Sequence, residues 1–440
     1  MTFQNKIYCF LICQLCIGNM VAKAQKNTKH DKPNIIFILA DDLGYETLEA
    51  NGGSSYKTPH VDQLAQSGMR FTNCNATPLC TPSRVQLMTG KYNFRNYKGF
   101  GILDPSDITF GNLLKQAGYV TGITGKWQLL GSQHQQDLAG QKGTYPQKAG
   151  FDKYFVWQVE TPNSPAPRYK NPVIYTSEGN KSFPGKYGPD LFADYAKKFI
   201  EQNRDTTFFL YYPMVLTHDP FQPTPDNNNF VTAEPKNTSD TAYFRYMVEY
   251  MDKKVGEIIN KVKEEGLSRK TLIIFSGDNG TSTKIVSILN GKKVRGAKGF
   301  PTVYGTHVPL IAYWDGVIKP GQLNNNLIDF TDFIPTFLET AGEKIPSDFH
   351  TDGTSFYKQL LNKKNAKKRD WVFCSYAPNW GSFKPYTWIQ DKQWKLYKTG
   401  EFFNLQKDPD EKDPIQEAKL TAREKTDKEK LKKAMMKILQ

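Results

Sequence analysis

The sequence predicts an α/β protein: a large mixed, mostly parallel sheet sandwiched by helices, with a small antiparallel sheet and one helix at its C-terminal end. Three observations carry this. Short runs rich in β-branched and aromatic residues read as fully buried strands. Segments of helical period fall between them, and strands alternating with helices build a parallel sheet covered on both faces. After about Pro346 the pattern changes to closely spaced short strands joined by turns.

In chain order the strand runs are Asn34–Ala40, Tyr119–Thr124, Thr206–Tyr212, Thr271–Ser276 and Val308–Trp314. The helical segments are Pro59–Ser67, Leu191–Gln202, Ala242–Glu265 and Leu327–Ala341. Thr161–Gly188, rich in Pro, Asn, Ser and Lys, reads as a long surface loop near the functional face. Beyond Pro346, Tyr386–Gln390 and Trp394–Tyr397 flank the turn Asp391-Lys392 as a hairpin. Glu401–Leu405 adds a strand before the turn at Asp408-Pro409, and a charged helix closes the chain. A length of 440 residues suits one large domain with a smaller appendage, and 38% hydrophobic residues suffice for its core.

Lys6 precedes an apolar stretch from Ile7 to Val21 that is short for a membrane span, and Ala22-Lys23-Ala24 has the small-x-small pattern of a signal-peptidase site. Residues 1–24 are therefore expected to be a signal peptide, with the mature chain starting near Gln25. Bulky Leu15 before Cys16 argues against a lipoprotein anchor. The expected location is periplasmic or extracellular, with no membrane span in the mature protein. Cys9, Cys13 and Cys16 fall in the leader, leaving Cys74, Cys80 and Cys374. An odd count in an oxidising compartment means that one thiol stays free or is chemically consumed.

The net charge of +14 draws on Lys-rich stretches at Lys363–Arg369 and Lys419–Lys437, which suit a solvated surface as well as an anionic partner. An exported chain without a recognition motif is not expected to bind nucleic acid.

Polar residues gather where the strands end. Asn34–Ala40 runs into Asp41-Asp42, and Thr271–Ser276 runs through Gly277 into Asp278-Asn279. Tyr119–Thr124 leads to Gly125-Lys126, and Thr206–Tyr212 is followed by His218. The carboxyl edge of an open parallel sheet is its binding crevice, so four strands deliver carboxylates, an amide, a lysine and a histidine to one place. Hard oxygen donors favour calcium or magnesium over zinc. Either Asp pair alone reads as a turn or helix cap; two pairs on two strand ends favour a metal site.

Cys80-Thr81-Pro82-Ser83-Arg84 is followed by an apolar pattern through Val85, Leu87 and Met88. Pro82 suits a first helical turn, which sets Cys80 just before a helix N-terminus where exposed N–H groups favour an anion. Arg84 can lie beside that anion. Read alone, Cys80 is equally a buried thiol or a partner for Cys74.

These residues resemble the formylglycine-dependent sulfatases, type I enzymes of the alkaline phosphatase superfamily. Cys80-x-Pro82-x-Arg84 matches their maturation signature, continued by Leu87-Met88-Thr89-Gly90-Lys91-Tyr92. Asp41-Asp42-Leu43-Gly44, Thr124-Gly125-Lys126-Trp127, Gly150-Phe151-Asp152, Ser276-Gly277-Asp278-Asn279-Gly280 and Arg295-Gly296-Ala297-Lys298 follow in the family's order. Asn404-Leu405 with Asp408-Pro409 resembles its C-terminal hairpin.

The resemblance implies an alkaline-phosphatase-like fold, with residues 25–345 as catalytic domain and residues 346–440 as a smaller α+β subdomain. It implies that a formylglycine-generating enzyme converts Cys80 to formylglycine during export, which accounts for the odd cysteine and leaves Cys74 and Cys374 free or paired. Asp41, Asp42, Asp278 and Asn279 would hold one calcium ion, with magnesium the second choice, and the ion would also touch residue 80. Arg84 would stabilise the hydrated aldehyde. Lys126 and Lys298 would grip sulfate, and His218 would protonate the departing oxygen of a sulfated carbohydrate. His60, His134 and His350 read as capping or packing residues.

Two departures stand out. Gln128 occupies a position where many members have histidine, and an amide cannot take up a proton at neutral pH. Tyr304-Gly305-Thr306 replaces a frequent Glu-Gly-Gly and is expected towards the substrate pocket. The competing readings are a phosphomonoesterase or phosphodiesterase of the same superfamily, and a sulfated-glycan binder without turnover.

Overall fold

Asn34–Ala40 is buried along its whole length, which explains its unbroken apolar sequence: Ile35, Phe37 and Leu39 face one side of a sheet, and Ile36, Ile38 and Ala40 the other. The computed structural model describes residues 32–161, 165–230 and 239–440. The expected signal peptide, with Lys6, Cys9, Cys13, Cys16 and the Ala22-Lys23-Ala24 pattern, lies outside the described residues. Pro33–Gln440 forms one compact unit.

The strands are β1 (Asn34–Ala40), β2 (Met69–Asn75), β3 (Val120–Lys126), β4 (Lys153–Trp157), β5 (Val173–Thr176), β6 (Gly179–Ser182), β7 (Phe208–Pro213) and β8 (Thr271–Gly277). They continue as β9 (Val286–Leu289), β10 (Lys292–Arg295), β11 (His307–Tyr313), β12 (Gln322–Asp329), β13 (Val372–Tyr376), β14 (Tyr386–Gln390), β15 (Trp394–Tyr397) and β16 (Phe402–Asn404). A ten-stranded sheet has the order β12-β2-β11-β8-β1-β7-β3-β4-β5-β6. Its centre, β8-β1-β7-β3-β4, is parallel throughout. β11 runs antiparallel to both its neighbours, and β5 and β6 close one edge as an antiparallel pair.

Alternation continues through the centre. Phe209, Tyr211, Leu272 and Ile274 join the first face, where helices Cys80–Thr89, Phe110–Gln116 and Phe333–Thr340 pack. Phe208, Leu210, Ile273 and Phe275 join the second, beneath helices Pro59–Ser67, Gly188–Gln202 and Phe244–Glu264. Phe337 is a keystone of the first face, ringed by Phe37, Phe110, Phe209 and Phe333. Phe337→Ala is expected to lower stability by about 3–5 kcal/mol through the cavity it opens. An unchanged midpoint of urea unfolding would contradict that packing.

The C-terminal sheet, β13-β14-β15-β16, is antiparallel and covered by helix Ala422–Leu439, whose Leu431 and Met435 pack on Leu396 and Phe402. It braces the preceding chain. Buried Lys395 pairs with Glu411 at 2.9 Å and donates to the carbonyl of Pro301, while the Tyr376 hydroxyl donates to the carbonyl of Gly299.

Two expectations need correction. Leu327–Ala341 is not one helix: Leu327–Asp329 ends β12, and only Phe333–Thr340 is α-helical. Both parts are buried, so helical and strand periods look alike there. Thr161–Gly188, of which residues 162–164 lie outside the description, is no plain loop either, since it contains β5 and β6. β6 is an edge strand with mostly exposed polar residues, and it carries no apolar alternation to read. Among the described residues no helix is long and apolar enough to cross a membrane.

Candidate active site

β1 and β8 are in register with Ala40 beside Gly277, so Asp41-Asp42 and Asp278-Asn279 leave the sheet edge side by side. Gly277 permits this closeness, because a Cβ there would lie 2.1 Å from the carbonyl oxygen of Leu43. Gly125 plays the matching part in β3. Its φ is +116°, and a Cβ would meet the Pro213 carbonyl oxygen of β7 at 2.0 Å. The bend brings Lys126 inward, where its Nζ donates to Asp41 Oδ1 and Oδ2 at 2.9 and 2.8 Å.

Cys80 is itself the first residue of its helix, one step further in than the sequence suggests, and all ten residues of that helix are buried. Ser83 secures the turn before it: its Oγ accepts the Thr77 N–H at 3.0 Å and donates to the Thr77 carbonyl at 2.9 Å. Arg84 Nε donates to Asp278 Oδ2 at 2.9 Å. Its Nη2 lies 3.9 Å from Asp41 Oδ1 without a hydrogen-bond partner among the described residues. Ligand atoms of Asp41, Cys80 and Asp278 lie within 4.8 Å of one another, as do those of Asp41, Asp42 and His218.

Lys298 Nζ bridges Asp42 Oδ2 at 2.6 Å and His218 Nε2 at 2.9 Å. The opposite ring nitrogen, Nδ1, lies 2.6 Å from the carbonyl oxygen of Asp219, which can only accept. The lone pair that Lys298 requires at Nε2 puts the proton of a neutral His218 on Nδ1, directed to the Asp219 oxygens, so Arg168 Nη2 at 2.9 Å from Nδ1 is a close contact there and not a hydrogen bond. Burial and then the Lys298 charge push the His218 imidazole below its usual range, which agrees with a neutral ring.

Burial raises both Asp41 and Asp278, but their neighbours part them. Lys126, His218, Arg84 and Lys298 overcome burial at Asp41 and hold its carboxyl very low. Asp278 is pushed up by burial and then by Asp41, more than Arg84 and Lys126 offset. Two like charges this close are relieved by a cation. Asn279 points to one as well: its Oδ1 is buried with no hydrogen-bond partner among the described residues, although its Nδ2 donates to Asp42 Oδ1 at 2.9 Å. Three carboxylates and an orphaned amide oxygen fit a hard divalent cation.

Cys80, Arg84, Lys126, His218, Lys298, Asp41, Asp42, Asp278 and Asn279 thus fall into one cluster. Cys74, Cys80 and Cys374 are all buried and free of disulfides. Tyr304-Gly305-Thr306 does not face the pocket. It backs the site instead, with the Tyr304 carbonyl against Gly280. His307 is a packing residue, stacked on Tyr45 and bonded to the Thr72 carbonyl.

Sequence reasoning missed the pocket walls. A cavity of about 670 Å³ opens over His218 and Lys298, walled by Phe100, Gln128, His134, Arg168, Trp380 and Phe383. His134 is therefore a pocket residue rather than a simple cap. Gln128 combines a positive φ with a buried Oε1 that has no partner among the described residues. None of these walls carries a local signal beyond the Gln128 substitution.

A balanced cluster of buried acids and bases, at the carboxyl edge of such a sheet and beneath a cationic pocket, defines a hydrolase of anionic esters with an alkaline-phosphatase-like fold. Residues 33–343 match the sulfatase family, and residues 301–439 match the C-terminal region of N-sulphoglucosamine sulphohydrolases. The chain belongs to the type I sulfatases of the alkaline phosphatase superfamily and is a sulfuric ester hydrolase. It is 30% identical to mouse N-acetylgalactosamine-6-sulfatase over 84% of this chain and 75% of that one. An N-acetylgalactosamine-6-O-sulfatase of Bacteroides thetaiotaomicron is 27% identical, over 89% and 92% of the two chains. A solved structure concerned with glycosaminoglycan metabolism by that bacterium superposes with a TM-score of 0.72 at 25% identity, covering 93% of this chain and 99% of that one.

Proposed function

We propose that the protein is an exported carbohydrate sulfatase, periplasmic or extracellular, that uses formylglycine made from Cys80 and one calcium ion. The observation that carries this is the setting of Cys80: 2% exposed, at a helix N-terminus, and within the Asp41–Asp278 carboxylate cluster. Burial raises its thiol above the ordinary range despite Lys126 and Lys298, and a protonated thiol is a poor nucleophile. The position suits a group that gains its reactivity by oxidation, installed by a formylglycine-generating enzyme during export. On this reading residues 1–24 are the leader, 25–345 the catalytic domain and 346–440 its supporting subdomain.

Hydrated formylglycine supplies one hydroxyl to attack sulfur and a second through which sulfate is released. Asp41, Asp42, Asp278 and Asn279 would hold the calcium ion, which would supply positive charge for the sulfate oxygens. The remaining work falls to the chain itself. Asp41, Asp42 and Asp278 face Arg84, Lys126 and Lys298, so the cluster is already near electrical balance. A sulfate ester brings a single negative charge, which Arg84, Lys126 and Lys298 would share with a divalent cation held by the carboxylates. Lys126 and Lys298 then exchange carboxylate for sulfate oxygens, and Arg84 keeps its unpartnered Nη2 for residue 80. The proton for the leaving oxygen comes from the Lys298–His218 contact, with His218 oriented at Nδ1 by Asp219.

A carbohydrate substrate is supported by the names of the relatives and by a pocket that pairs aromatic faces with cations. Peptide mass spectrometry across Phe71–Arg84 tests the proposal on protein exported from a host with a formylglycine-generating enzyme. An aldehyde at residue 80 is expected. An unmodified Cys80 in protein that still binds sulfated sugars would replace the hydrolytic reading with that of a binder.

A further inference from the structure

Arg168 has no part in the chemistry described above, yet it lies 7% exposed on the pocket wall. Its guanidinium sits 4.7 Å from the centre of the Trp157 ring and 5.4 Å from that of Tyr169, which fixes its plane. Nη2 contacts His218 Nδ1 at 2.9 Å and donates to the Asp219 carbonyl. The Asp219 carboxylate is engaged elsewhere, with His218 and with Lys284. Among the described residues no carboxylate comes within the 4.0 Å ion-pair distance of Arg168, and its Nε and Nη1 make no hydrogen bond to them. A buried guanidinium without a counter-ion is costly to maintain, and it is made good when an anion arrives.

The surroundings restrict what that anion is. Lys298 and Arg168 flank a single imidazole, one at Nε2 and the other at Nδ1. Two anionic groups one ring-width apart belong to one sugar unit. The residues lining the pocket include Arg168, Lys298, His134 and His218 but no Asp or Glu, so nothing there repels a second negative charge. Phe100 and Trp380, stacked with centroids 4.9 Å apart, give the ring an apolar face. The orphaned Gln128 Oε1 offers an acceptor for a hydroxyl.

We infer that Arg168 determines specificity by binding a second anionic substituent, a sulfate or a uronate carboxylate, on the sugar that carries the scissile sulfate. This rests on the carbohydrate-sulfatase reading. The Nε and Nη1 N–H groups, which have no partner among the described residues, can donate to either anion.

The test compares the native protein with Arg168→Gln and Arg168→Lys on hexose monosulfates, matched hexose disulfates and sulfated hexuronates. Sulfate release gives kcat/KM, and calorimetry gives binding to the Cys80→Ala form of each protein. The native enzyme is expected to prefer doubly anionic sugars, and Arg168→Gln to reduce that preference by roughly 10- to 100-fold. Arg168→Lys should restore part of it, since the charge returns without the fork. Preference for the disulfate or for the uronate identifies which anion the site takes. A native enzyme without preference, or an Arg168→Gln loss equal on all substrates, overturns the assignment and leaves Arg168 as support for His218. Doubly anionic sugars bound through Arg168 but never cleaved would sustain the anion site and sink the sulfatase reading. Neither binding nor release would sink both.

Discussion

Cys80→Ala is expected to abolish sulfate release, lowering kcat/KM by at least about 10⁴-fold, as removal of a nucleophile does elsewhere. The fold should survive. Cys80 is small, its helix is held by Ser83 and Thr77 rather than by the thiol, and trimming one sulfur from a buried site costs about 1 kcal/mol. Cys80→Ser is no rescue. It keeps one hydroxyl but lacks the second through which sulfate would leave, so at most one equivalent of desulfated alcohol per site is expected while the sulfate stays bound to the serine. Steady-state assays beside thermal unfolding separate loss of chemistry from loss of structure. A Cys80→Ala protein with near-native turnover would remove residue 80 from the reaction altogether.

Asp41→Ala is expected to damage both stability and activity, because Asp41 does two things at once. Its two oxygens receive Lys126 Nζ at 2.9 and 2.8 Å, and both side chains are almost wholly buried. Without the carboxylate, Lys126 keeps its charge in a dry setting with no partner, which costs about 3–5 kcal/mol. The same change removes an oxygen donor from beside Asp278 and Asn279, so calcium affinity should collapse and turnover should fall by about 10³-fold or more. Urea unfolding, calorimetric calcium titration and sulfate release read these effects separately. Wild-type calcium affinity in a destabilised variant would confine Asp41 to pairing Lys126.

The contrast between site and pocket shows what kind of information a sequence holds. Asp41, Asp42, Asp278, Asn279 and Lys126 each stand at or just beyond a strand end, where an apolar run gives way to a polar group, and Lys126, Asp278 and Asn279 each adjoin a glycine. That change is local in the chain, so it is legible without coordinates. The glycines are legible for the same reason, and the structure adds why they are needed: a Cβ at Gly277 would meet the backbone of Leu43 beyond β1, and one at Gly125 the backbone of Pro213 in β7. β6 was not legible, because an exposed edge strand has no buried face to impose alternation. Nor was the end of β12, where burial on both sides erases the difference between the two periods.

The sequence by itself determined the fold class, the central strands and the cluster of acids, bases and cysteine at their carboxyl edge. Tertiary structure alone decided what stands over that cluster. Phe100, His134, Arg168, Trp380 and Phe383 come from distant parts of the chain, and only the folding of these segments together makes them one wall. It also decided that Lys395 and Tyr376, far along the chain, hold the backbone beside Lys298. Strand ends are specified by neighbours in sequence, through burial and backbone hydrogen bonding, whereas a pocket wall is specified by neighbours in space.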